Sequence, residues 1–325
     1  MIRYIIRRVI YSIPVLFAAS IIVFYAVKAS TSANVICAGN ARLTAAQCHA
    51  IQHQLGLDKS GFSQYTSWLS HWVRFDWGVS IFTQIPVRHD ILQALANSAL
   101  LGLVGVGFSL IIGAGVGIIS AVRQYSWFDN VATGAAFLGL SMPNFWFAYL
   151  LQIFFGLQLV HWLHLTGAVF PIAGMSTPGT EGFDLVDRLK HLALPALVLA
   201  VQIIAVYSRL MRASMLETLN ADYMRTARAK GVRESRVLTR HGVRNALIPI
   251  TTQLGIDIGA IAGGLIITEY VFQWPGMGRY FINAMNFGDY PQILAWTMIV
   301  VTSVILFNLL VDIAYAVLDP RIRYA

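Results

Sequence analysis

Residues 91–122 contain no Asp, Glu, Lys or Arg, and an uncharged run of that length belongs in a lipid bilayer. Residues 9–27 and 130–180 are equally free of charge. Lipid offers no hydrogen bonds to the backbone, so only helices and closed barrels cross it. Each charge-free run is read as helix by its length, about 20 residues being needed for one span. The expected fold class is an all-α polytopic membrane protein.

Composition removes the soluble alternatives. The chain is 57% hydrophobic and 12% charged, against roughly a quarter charged for soluble domains. Its net charge of +8 does not point to nucleic acid, because the basic residues flank the apolar runs. Arg3, Arg7 and Arg8 precede the first run as in a signal peptide. That run is too long and lacks a small-residue cleavage pattern, so it reads as a retained span.

Six transmembrane helices are expected, over 9–27, 91–122, 130–160, 191–208, 248–272 and 290–318. Glycines at 102, 105, 107, 113, 115 and 117 would let the second helix pack closely on a neighbour. With the N-terminus inside, fifteen Lys and Arg residues fall on the inner side and eight on the outer. That bias sets an N-in/C-in orientation. The first outer loop, about 29–89, is too long for a plain connection. It holds Cys37 and Cys48, a candidate disulfide on the oxidising side, with two unpaired thiols as the alternative. The sequence contains no GxSxG, no GxxxxGK[ST], no HExxH and no CxxC, which leaves no catalytic residue and no metal site to assign. If ATP drives the protein, another chain binds it.

The densest polar feature lies between the fourth and fifth spans. Residues 209–244 carry nine of the 23 Lys and Arg residues against Glu217, Asp222 and Glu234. The run YMRTARAKG at 223–231 continues as VRESRVLTRHGVRNALIPI to residue 250. Ala227 and Gly231, four apart, would form a small-residue patch on a helix. Arg236, Arg240 and Arg244 would form a basic stripe. A solvated positive-inside loop is one reading, and an amphipathic helix that docks on a soluble subunit is the other.

This segment resembles the cytoplasmic coupling motif, the EAA loop, of binding-protein-dependent ABC importer permeases, and is closest to the peptide branch. Arg225, Thr226 and Ala227 stand where that motif has Glu, Ala and Ala, and Gly231 stands at its glycine. Arg225 departs from the Glu, and the interval from Gly231 to Pro249 is longer than usual. Such lengthening is similar to the oligopeptide and dipeptide permeases. RYIIRR at 3–8, LGLDKS at 55–60, EYVFQWPGMG at 269–278 and LDPRIR at 318–323 resemble the same branch.

The resemblance implies a type I ABC importer permease fold for peptides in the bacterial plasma (inner) membrane. Its organisation would be a first helix with a large extracytoplasmic loop (1–97), an importer transmembrane domain (98–318) with a coupling loop at 209–247, and a tail (319–325). It further implies two cytosolic ATPase subunits that bind ATP and Mg, a second homologous permease subunit and an extracytoplasmic peptide-binding protein, with no cofactor in this chain. Arg225, Thr226, Ala227, Lys230 and Gly231 are the expected ATPase-coupling residues.

Asp257 and Glu269 are candidates for the pathway or the subunit seam, since an acid at membrane depth needs a partner. The alternative role for Glu269 is to order the Trp274-Pro275-Gly276 turn. An ion-coupled secondary transporter that uses Asp257, Glu269 and Asp312 is the competing class. The lack of visible inverted repeats and the dense basic loop count against it. Oligopeptides, dipeptides, glutathione and nickel complexes are not separable as substrates from the sequence.

Overall fold

The computed structural model describes residues 2–30, 44, 46–47, 53, 59–179 and 182–318. Cys37, Cys48 and the side chain of Asp312 lie outside the described residues. The described residues are predominantly helical. Five helices among the described residues are long and apolar enough to cross a membrane: Ile6–Ala29, Val87–Val122, Asn144–Trp162, Leu185–Leu219 and Tyr290–Leu310. A shorter apolar helix spans Ile248–Ile261.

The principal helices are α1 (Ile2–Ser30), α2 (Gly61–Val73), α3 (Val87–Val122), α4 (Trp127–Ser141), α5 (Asn144–Trp162), α6 (Leu185–Leu219), α7 (Asp222–Ala229), α8 (Ile248–Ile261), α9 (Ile266–Val271), α10 (Met277–Phe287) and α11 (Tyr290–Leu318). They fall into two compact units.

One unit draws on Met1–Ser98, Gly259–Ile266 and Pro275–Leu309. Its core joins α1, α2 and α11: Phe24 and Val27 pack with Tyr65, Ile293, Leu294 and Met298. Thus the long loop after the first span contains a helix of its own. Ser60 caps α2 through its hydroxyl, which accepts from the Ser63 amide at 3.3 Å. Ser20 Oγ and Tyr65 Oη lie 2.8 Å apart and tie α2 to α1. Asp289, buried before α11, accepts from Ser80 Oγ and from the Gln292 amide, so one carboxylate caps the helix and anchors the preceding loop.

The second unit draws on Ala99–Ile258, Ile267–Trp274 and Leu310–Ala325. Here α3 lies against α6 along a stripe of small residues. Gly105 faces Leu199, and Ser109 Oγ donates to Gly105 O at 2.6 Å and Ala200 O at 3.4 Å. A Cβ on Gly113 would lie 2.7 Å from Tyr207 Cβ, and one on Gly117 would lie 2.6 Å from both Met211 Cβ and Ser208 O. These positions recur every fourth residue and so share one helix face. Gly107 and Gly115 face open space and take no part in the seam.

Two expected spans are not continuous. Residues 130–160 break at Met142 and Pro143. Proline has no amide to donate and forces its predecessor out of the helical region, and Met142 has ψ 125. Gln202 Nε2 donates to the Met142 carbonyl at 3.0 Å and satisfies the freed group. Residues 248–272 break between α8 and α9 at Gly263 and Gly264. Gly264 takes φ +79, and a Cβ there would collide with the backbone of Gly278. Asn97 Nδ2 donates to Pro275 O at 2.9 Å, and the Met277 amide donates to Ser98 Oγ at 2.7 Å, which holds the returning chain.

Gly117→Leu should remove the close approach of α3 and α6 and destabilise the protein by on the order of 2–3 kcal/mol. Gly115→Ala should be neutral or stabilising by up to about 1 kcal/mol. Thermal unfolding of both variants in detergent tests the contrast.

Candidate functional site

At about 1.5 Å per residue, α6 exceeds the roughly 30 Å of a bilayer's hydrocarbon core, so part of it emerges on at least one side. The basic segment folds against its C-terminal end. Arg212 donates from Nε to Asp129 Oδ1 at 2.6 Å and from a terminal nitrogen to Oδ2 at 2.7 Å. Asp129 is 2% exposed and Arg212 27%, so this is a largely desolvated bidentate pair. The Tyr125 amide adds a third bond to Asp129 at 2.9 Å. Arg209 lies 4.7 Å above the Phe137 ring. Two of the nine basic residues therefore clamp α4 to α6. The pair was not anticipated from the sequence, although Asp129 is the sole acid between Asp90 and Glu181.

Beyond Asn220 the chain turns into α7. Asp222 sits in its first turn and Arg228 in its last, both favourable to the helix dipole. Its pattern is amphipathic over two turns. Met224 and Ala227 point inward and pack with Val237, Leu219 and Val232, while Tyr223, Arg225, Thr226, Arg228 and Lys230 are exposed.

The helix ends in a Schellman turn. The Gly231 amide donates to Arg228 O at 2.9 Å, and the Val232 amide donates to Ala227 O at 3.3 Å. Gly231 has φ +71 with nothing within 4 Å of a built Cβ. Its glycine meets a backbone requirement and makes no close approach. Gly231 also lies outside α7, so it does not share a helical face with Ala227, and Ala227 turns into the chain's own core. Arg228 spans the turn, with three hydrogen bonds of 3.0–3.3 Å to Glu234. These bonds hold the Glu234 carboxyl below its ordinary pKa. The Arg225–Asp222 contact, at 3.6 Å between exposed groups, adds little.

From Glu234 the chain is helical again, but with π turns over Val237–Val243. Val237 and Ala246 are both fully buried, although a regular α-helix would place them about two and a half turns apart, on opposite faces. The wider π turns bring both inward. Gly242 faces the thioether ends of Met215 and Met224, at 2.9 and 3.5 Å from a built Cβ. Ala246 and Ile250 pack on Met211 and Met215. Arg236, Arg240 and Arg244 are exposed. Together with Lys230 and Arg233 they make no salt bridge among the described residues.

The acidic candidates differ in their surroundings. Asp257 on α8 is half-buried and accepts from Tyr207 Oη at 2.7 Å and Gln253 Nε2 at 3.0 Å. Glu269 is fully buried on α9, and its carbonyl accepts from the Trp274 amide at 2.8 Å. Its backbone thus closes the turn that leads to the buried Trp274.

Residues 113–324 match the family described as binding-protein-dependent transport system inner membrane component, and residues 1–79 match the N-terminal part of such components. The chain is 41% identical to the oligopeptide transport system permease protein AppB of Bacillus subtilis over the whole of both chains. It is 36% identical to the dipeptide transport system permease protein DppB of Escherichia coli K12, covering 100% of this chain and 99% of that one. It is also 36% identical to the glutathione transport system permease protein GsiC of Pectobacterium atrosepticum, over the whole of both.

Asp129→Ala should leave Arg212 without its partner and cost about 3 kcal/mol, read as a lower unfolding temperature in detergent. Gly231→Ala should cost about 1–2 kcal/mol through its left-handed conformation, with Gly231→Asn milder in the same measurement.

Proposed function

The chain belongs to the family of binding-protein-dependent transport system inner membrane components, a multi-pass bacterial inner membrane permease, and we propose that it is one of two membrane subunits of an ATP-driven importer of short peptides. The observation that carries this reading is the amphipathic α7. Its inner side is fixed by Met224 and Ala227, and its outer side offers Arg225, Thr226 and Lys230. A helix seated in this way on the end of α6 moves with it.

In this reading the segment from Asp222 to Pro249 faces the cytosol and docks on an ATPase subunit. Arg225, Thr226 and Lys230 make the contact, while Ala227 and Gly231 set the shape of the surface. ATP and Mg are bound by two such ATPase subunits, and this chain holds no cofactor and catalyses nothing. Six spans are reached when the α8–α9 pair counts as the fifth, with both termini in the cytosol. The first helix and its extracytoplasmic loop occupy 1–97, the transmembrane domain 98–318 and the tail 319–325. A second homologous permease subunit completes the path, with Asp257 near the seam, and an extracytoplasmic binding protein delivers the peptide. The names of the relatives support peptides as the substrate class.

Proton-coupled transport is not favoured. Asp257 is engaged by Tyr207 and Gln253, and Glu269 is fully buried.

Arg225→Glu combined with Lys230→Glu should reduce ATPase co-purification at least tenfold while the membrane protein remains folded. Undiminished co-purification would sink the docking assignment. Peptide uptake by the complex in liposomes should require internal ATP and persist when a protonophore collapses the proton gradient. The reverse result would favour the ion-coupled class.

A further inference from the structure

The end of α1, helix α2 and the start of α11 wall a cavity of about 270 Å³ that the transport reading does not use. One wall is a ladder of aromatic rings. Centroid distances are 5.4 Å from Phe24 to Trp68, 6.1 Å from Trp68 to Trp72 and 4.8 Å from Trp72 to Trp77. The last two pairs are stacked, with interplanar angles of 28° and 18°. Trp68 and Trp72 stack because they stand one helical turn apart on α2. Trp77 joins them because α2 stops at Val73 and Phe75 takes φ 59, which folds the chain back. Trp77 Nε1 then donates to Trp72 O at 3.4 Å. Tyr290 and Leu294 also line the cavity.

The lining includes two exposed groups of opposite charge, Lys59 and Asp76. Neither makes a salt bridge among the described residues. Among the described residues, Asp76 accepts one long bond, 3.3 Å, from the Gly78 amide. Half-buried indoles that are already stacked lose little freedom when a ligand covers them, so the wall is prepared for a large apolar group. The volume is too small for a folded partner and suits one large side chain with its adjoining backbone. Interfacial tryptophans ordinarily anchor a helix among lipid headgroups. Here the three line a concavity that also presents an anion and a cation.

We propose that this cavity recognises a short zwitterionic peptide by one large apolar or aromatic side chain, with Lys59 facing the carboxylate and Asp76 the ammonium group. The proposal rests on the peptide-importer reading and adds to it a side-chain preference located in this chain.

The test uses the permease purified with its natural membrane and ATPase partners, without the binding protein, and equilibrium binding of labelled Ala-Phe-Ala. Saturable binding is expected. It should weaken at least tenfold for Ala-Gly-Ala and at least fivefold for Ala-Phe-Ala blocked at both ends. Lys59→Met and Asp76→Asn should each weaken it at least fivefold. Both are exposed positions, so they report even if Trp72→Ala, which disturbs the core, fails to fold. Equal affinity for the two peptides, or indifference to both charge variants, would overturn the proposal. Retention of phosphatidylethanolamine in native mass spectra, lost in both variants with no effect of peptide, would assign the cavity to a lipid headgroup and also overturn it. ATP-driven uptake in liposomes made from the same preparation, with the extracytoplasmic binding protein added back, separates the two levels. Uptake without cavity binding rejects the cavity alone, whereas no ATP-driven uptake rejects the transport reading.

Discussion

The close approach of α3 to α6 underlies most of what the second unit does. At Gly105, Ser109, Gly113 and Gly117, α3 itself presents nothing bulkier than a hydroxymethyl, so Leu199, Tyr207 and Met211 of α6 come close to its backbone. In lipid this matters more than in water, because the solvent is as apolar as any side chain and contact area alone does not drive helices together. With α6 held in this way, one helix carries in succession Tyr207 toward Asp257, Arg212 toward Asp129 and Met215 toward Gly242. The basic segment is the last element on that axis. Its position is inherited from an interface of small residues that lies before it on the same helix.

The helical character and the approximate spans were legible because lipid forbids anything but a long uncharged run. The interruptions were less legible. Pro143 was visible, yet nothing local told whether a neighbour would satisfy the carbonyl it freed, and Gln202 lies far along the chain. The Gly263-Gly264 break depends on the return of Gly278, which lies beyond α9 and the turn that follows it. α2 was hidden in a loop that reads as polar. Its signal was the spacing of Tyr65, Trp68, Leu69 and Trp72, which is helical and apolar on one side.

The basic segment was legible as a place before it was legible as a shape. Charge density located it, but charge does not distinguish residues that hold the chain together from those that face outward. Arg209, Arg212 and Arg228 are spent on Phe137, Asp129 and Glu234 within the chain, and no sequence rule separates them from Arg233 or Arg240. Gly231 and Ala227 are both small for reasons that face inward. One satisfies a left-handed turn, and the other sits over the core formed by Met224 and Val237. The outward face is consequently polar and made of long side chains.

The π turns between Val237 and Val243 bear on how such a segment varies in length. A wide turn takes up an additional residue without rotating the helix beyond it, so Ala246 and Ile250 keep their seats on the methionines of α6. A regular helix would pass every insertion on as a rotation of the next span. The bulge works as a slip joint. It takes up a residue between Gly231 and Pro249 while α8, on its far side, keeps its phase.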